Sequence, residues 1–185
     1  MKYSNITLGK IEAVWNKLGG EDGVEKFLRG ELVVQPVIEK LDFIVSVDRN
    51  NEMSYPGWIE KVIHENMKKN GPNKYDVRSL ELLLHENQKN GLISTKEIYE
   101  YIQEKNILEN CLGLSDLLAI QKKGIIVFNT IFQGKSVIGW RSIAKNSIGG
   151  DMRFPYLIEK EGEVKLIWGW PGFLGLQNPI FFFKK

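Results

Sequence analysis

The sequence predicts an α+β protein, with an N-terminal helical hairpin and a helical middle region packed on a C-terminal antiparallel sheet. Three observations predict it. Apolar residues recur at three-to-four spacing through the first two thirds of the chain. β-branched and aromatic runs separated by turn residues fill the last third. Charge divides at the same place: residues 1–119 carry 15 Lys and Arg against 19 Asp and Glu, and residues 120–185 carry 10 against 4. At 185 residues, 43% hydrophobic and 26% charged, the chain is long enough to bury a core without disulfide or metal staples.

The elements follow in order. Leu8, Ile11, Val14, Trp15 and Leu18 form one helical stripe with Thr7 placed as N-cap. Gly19-Gly20 breaks the chain, and Glu21 and Asp22 open a second helix whose face is Val24, Phe27 and Leu28, with Gly30 as a left-handed stop. Residues 32–38 read as a short edge strand or linker because Pro36 has no N–H to give a ladder. Leu41 to Val47 is a better strand, and Asp48 to Glu52 is a polar turn. Trp58, Ile59, Val62, Ile63 and Met67 have helical spacing, as do Val77, Leu80, Leu83 and Leu84. Ser94-Thr95-Lys96-Glu97 is a capping box opening a helix with Ile98, Tyr101 and Ile102 inside, and Leu114 to Gln121 adds another helix.

From Gly124 the pattern changes. Ile125 to Phe132 is β-branched and aromatic and reads as a strand, followed by a Gln133-Gly134-Lys135 turn and a second strand at Val137 to Ala144. Phe154 to Glu159 pairs with Val164 to Trp168 across a polar turn, and Pro179 to Phe183 is the last strand. The expected organisation is a hairpin module at 1–31, a mainly helical region at 32–123 and an antiparallel region at 124–185, with 32–185 one domain.

The segment from Leu18 to Leu32, LGGEDGVEKFLRGEL, resembles the opening of a family of uncharacterised proteins from small-genome, uncultivated bacteria. The Lys96 to Tyr99 helix and the Trp- and Phe-rich C-terminal strands are similar more loosely. The resemblance implies a cytoplasmic bacterial protein and supplies no catalytic residue. A single cysteine fits a reducing compartment, Lys2 is followed by no apolar signal core, and no apolar run reaches membrane-spanning length. A cytoplasmic location without membrane attachment is therefore expected.

No motif specifies a reaction, and no cofactor or metal is implied. Gly134-Lys135-Ser136 ends like a phosphate loop, but Asn129 stands where the first glycine is needed. Cys111 has no histidine at readable spacing, since His64 and His85 lie in separate segments, and these two histidines also lack a metal-ligand spacing. Glu97, Glu100 and Glu104 alternate with Lys96 and Lys105 as on a solvated helix face, and Asp116 reads as helix capping. Asn5-Ile6-Thr7 matches a glycosylation sequon that has no use without export.

The constellation to follow is basic and aromatic. Trp140, Arg141, Arg153, Trp168 and Trp170, with Lys122, Lys123, Lys135 and Lys145, lie in the strand-rich part. Trp168 and Trp170 share one face of a period-two strand, so they either fill the core or form a stacking platform. The leading expectation is a non-catalytic interaction or adaptor protein whose partner is another protein. The alternative is a nucleic-acid binder that uses these cations and rings, and a further alternative is an enzyme of unrecognised reaction.

Overall fold

Gly19 separates the first two helices, as the sequence predicts. The computed structural model describes residues 7–32, 41–50, 55–169 and 172–184. The chain divides into two units, residues 1–40 and 41–185. The strand or linker expected at 32–38 lies almost wholly outside the described residues, as do Trp170 and Pro171.

In the first unit, α1 (Leu8–Leu18) and α2 (Gly20–Leu28) form the hairpin. Thr7 occupies the N-cap position in extended backbone, but its hydroxyl makes no cap bond; its carbonyl accepts from the Lys10 and Ile11 N–H groups. Gly23 is the only buried residue of the two helices. A Cβ there would lie 1.5 Å from the Leu18 carbonyl oxygen, so the two helices meet at this point only because no side chain intervenes.

The second unit begins with β1 (Ile44–Ser46), β2 (Ile59–Val62), β3 (Lys74–Asp76) and β4 (Glu81–Leu83). Then come α3 (Glu86–Asn90), β5 (Ile93–Ser94), α4 (Thr95–Glu104), α5 (Leu114–Gln121) and α6 (Gly124–Phe132). The remainder is β6 (Val137–Ile138), β7 (Ala144–Asn146), β8 (Met152–Lys160), β9 (Glu163–Gly169), β10 (Phe173–Leu174) and β11 (Ile180–Phe182). Among the described residues all strand pairings are antiparallel, and the α+β class holds.

Four segments differ from expectation, the fourth being the strand expected from Val137 to Ala144, which a 3-10 turn at Trp140–Ser142 interrupts. Residues 58–67 form β2, paired with β7, and a 3-10 turn rather than a helix. Residues 77–84 form a 3-10 turn and then β4, paired with β11. In both, helical spacing is overridden by a distant partner strand. Residues 125–132 are helix, not strand. Their run is apolar apart from Asn129 and Thr130, and over so short a run periodicity cannot tell a buried helix from a buried strand. As α6 they bury Val127, Phe128 and Phe132 while leaving Ile126 exposed, and the Thr130 hydroxyl is satisfied by the Ile126 carbonyl at 2.7 Å.

The longest strand, β8, organises the unit. It pairs along one edge with β9 through a turn in which Glu161 and Gly162 both have positive φ, 58° and 77°. This is the two-residue hairpin geometry that matches strand twist. Along the other edge β8 meets both β6 and β7. Between these contacts β8 runs only from Tyr156 to Arg153, while the facing chain runs from Ile138 to Ala144. The surplus residues Trp140–Ser142 leave the ladder and fold inward as a 3-10 turn. Pro155, which has no N–H to donate, stands at the gap, and its carbonyl accepts from Gly139 N–H at 2.8 Å. Alternate side chains of β8 enter two different clusters: Leu157 joins Leu117, Phe128, Phe132 and Phe181, and Phe154 joins Ile98, Ile102, Trp140 and Ile180.

Candidate functional site

The inward turn decides the fate of the basic aromatic constellation. Trp140 is fully buried, edge-on to Phe154 at 5.2 Å, and is core rather than a stacking platform. Arg141 is also buried, at 1% exposure. It reaches the carboxylate of Asp116 with Nη2–Oδ2 at 2.6 Å, and Arg49 reaches the same carboxylate with Nη2–Oδ1 at 2.6 Å. Arg49 also donates to the Pro72 carbonyl at 2.7 Å. Arg141 therefore holds the fold together from inside and is not available to phosphates.

Asp116 does cap α5, as its sequence suggests, since it accepts from Gly113 N–H at 2.9 Å. It is also the single carboxylate between two guanidinium groups. Ser142 Oγ, brought in by the same turn, accepts from Leu114 N–H at 2.8 Å and completes the helix start. Burial pulls Arg141 below the usual arginine range, against the opposing pull of Asp116. Burial, then the Asp116 charge, pushes the Tyr75 hydroxyl up. Among the described residues, Arg141 Nε and Nη1 have no hydrogen-bond partner.

The other cations do not converge. In register, Val62, Ala144 and Arg153 share one face of the sheet, whereas Lys61, Lys145 and Met152 share the other. Lys145 and Arg153 thus point to opposite sides, and Arg153 lies 3.6 Å from Asp151. Lys123 is paired with Asp42 at 2.6 Å. Lys122 is exposed at the end of α5, and Lys135 sits half-buried in the turn after α6. Because that turn joins a helix to a strand, Gly134-Lys135-Ser136 lies in the reverse of the strand-to-helix order a phosphate loop requires.

Trp168 is half-buried beside Pro155 and packs on Tyr55 at 6.0 Å and edge-on to Trp58 at 6.1 Å. Lys68 covers the Tyr55 ring at 5.2 Å. Burial, then the Glu65 charge, pushes the Tyr55 hydroxyl up to about 12. The strand glycine beside Trp168 is also covered, with the Tyr156 ring 3.3 Å from where a Cβ of Gly169 would stand.

Cys111 is fully buried, and burial pushes its thiol up to about 12, so it is no nucleophile near neutral pH. The two histidines have separate settings. His64 Nε2 lies 2.6 Å from the Tyr99 hydroxyl, while His85 caps α3 through Nδ1 and meets the Tyr101 ring at 4.7 Å. Among the described residues, no three His, Cys, Asp or Glu side chains converge as metal ligands, and no helix is long and apolar enough to cross a membrane.

The first unit presents a different surface. Leu8, Ile11, Val14, Trp15, Phe27 and Leu28 are all more than 40% exposed, and no residue of α1 is buried. The surrounding charges are largely neutralised within the hairpin: Lys26 pairs with Asp22, and Arg29 with Glu25 and Glu31. No protein-family model matches the chain, and no curated protein or solved structure matches it.

Proposed function

We propose that this is a non-catalytic interaction protein that binds a partner protein through the apolar face of its N-terminal hairpin. The observation that carries the reading is that face itself: six large apolar side chains stay exposed on two helices that bury only a glycine. Isolated helices of this length are marginal in water, so an amphipathic pair gains its stability by packing. The mutually paired charges leave little net field for a polyanion or an anionic membrane. The occupant that fits is an apolar groove on another protein, which takes an amphipathic helix by residues one turn apart.

The test is reconstitution of the full chain with a purified partner found by crosslinking. Binding should be saturable, of one-to-one stoichiometry, and lost in an Ile11→Glu, Leu28→Glu double variant whose second unit unfolds at the same urea concentration as the parent. Retained binding in that variant overturns the reading. So does self-association that buries the same face, or turnover of a substrate abolished by one polar substitution. The nucleic-acid alternative draws less support, because Trp140 and Arg141 are core and Lys145 and Arg153 oppose each other across the sheet. Micromolar binding of short DNA or RNA with a steep negative salt slope would favour it instead.

A further inference from the structure

A second surface, independent of the hairpin, lies where α4 ends. Met67, Gln103, Asn106, Leu108 and Glu109 line a cleft of about 380 Å³, within the range of small-molecule sites. Its chemistry follows from a hydrogen-bond chain. The Gln103 side-chain amide donates to the Tyr99 hydroxyl at 3.3 Å. The Tyr99 hydroxyl in turn lies 2.6 Å from Nε2 of His64, a half-buried imidazole whose pKa burial lowers below the ordinary value.

With one Gln103 N–H engaged inward, its side-chain oxygen is left for the cleft. Among the described residues, that oxygen, the Asn106 side chain and the Glu109 carboxylate have no partner. Glu65, Glu86, Glu100 and Glu163 each hold a lysine, which Glu109 does not. Two neighbouring lysines are engaged elsewhere: Lys68 on Glu65, and Lys105 over the Tyr101 ring at 5.6 Å. The C-terminal end of α4 adds partial negative charge. Met67 and Leu108 supply apolar wall. The lining thus offers acceptors, one anion and no cation.

We propose that this cleft binds a small free organic cation, an alkylammonium or alkylguanidinium compound, with its charged head on Glu109 and the Gln103 and Asn106 oxygens and its methylenes against Met67 and Leu108. The ligand's N–H groups match the acceptors, and burial of the aliphatic stem beside a paired head is how such cations are ordinarily held. An anionic ligand would face Glu109 uncompensated.

The test is a chemical-shift titration of the full chain with agmatine and putrescine, with butyrate and butanol as controls. The cations should saturate, shifting the backbone amides of Gln103, Asn106 and Glu109 and the His64 ring, and the controls should not. Glu109→Gln should weaken agmatine by about tenfold, the loss expected for a charge-assisted hydrogen bond. Glu104→Gln, an exposed change at the last residue of α4, should leave affinity unchanged. The proposal is overturned by no saturation at about 10 mM cation, by butyrate binding as tightly as agmatine, or by an unaltered Glu109→Gln titration. Tighter binding of an Arg-containing pentapeptide than of agmatine would place the cation on a partner protein and overturn the free-ligand form.

Discussion

Asp116→Asn isolates the charge network at the centre of the second unit. Asp116 is fully buried and takes hydrogen bonds from Arg49 and Arg141 at 2.6 Å each and from Gly113 N–H at 2.9 Å. The side chains of Arg49 and Arg141 are 4% and 1% exposed. The substitution preserves shape but sets a neutral amide, with its own donors, against two buried guanidinium groups. Removing one partner of a buried pair costs about 3–5 kcal/mol, and the amide oxygen retains one contact, so the loss should be about 3 kcal/mol. For a unit of this size that lowers the thermal midpoint by roughly 6–12 °C. The assay is urea unfolding followed by tryptophan fluorescence and circular dichroism. Asp151→Asn is the control: its carboxylate is 66% exposed and 3.6 Å from Arg153, and exposed pairs are worth under about 1 kcal/mol. A loss below about 1 kcal/mol for Asp116→Asn, with an unchanged denaturant slope, would refute the reasoning, because the arginines would then be balanced by something other than this carboxylate.

Other expectations are independent of that network. Gly23→Ala places a methyl 1.5 Å from the Leu18 carbonyl oxygen, so it should open the hairpin while leaving the second unit intact; unchanged amide shifts in residues 8–28 would contradict this. Cys111 should resist a thiol reagent at about pH 8 until denaturant is added, and immediate stoichiometric labelling would contradict its burial. Because its folded thiol holds a proton up to about 12 against the ordinary 9.0, the stability it contributes is present below 9 and is lost as pH rises between these values. Burial lowers His64 below 6.5, so its contribution is present above that pH and is lost as pH falls, when the unfolded chain takes up the proton first. His64→Gln should flatten the dependence of urea midpoint on pH below 6.5; an unaltered slope would assign it to another group.

Local signals were legible where the physics is local. The hairpin helices, the Ser94–Glu97 capping box, α5 and the β8–β9 turn all announce themselves within a few residues of sequence. Ser94 and Glu97 exchange the expected bonds, each at 3.2 Å. Misreadings arose where a distant partner decides. Nothing in Trp58 to Met67 says that β7 waits more than eighty residues later. Nor does the sequence say that the strand expected from Val137 to Ala144 is interrupted. That interruption carries Trp140 and Arg141 inside, so the residues singled out for exposed binding are among the most buried. Asp116 is visible as a cap, but Arg49 lies 67 positions away and carries no local mark. The His64–Tyr99 contact spans 35 positions and is equally silent.

The placement of β8 between two clusters has a consequence for how the second unit comes apart. Successive side chains of one strand are committed to opposite sides, so neither cluster can lose its contribution from β8 without exposing the other. Half of the unit cannot melt while the remainder persists as a compact core. The amides of β8 and its neighbours should therefore exchange with solvent hydrogen only through opening of the entire 41–185 unit. Substitutions as distant as Leu157→Ala on one side and Phe154→Ala on the other should lower that single opening energy together, as two marks on the same cooperative transition.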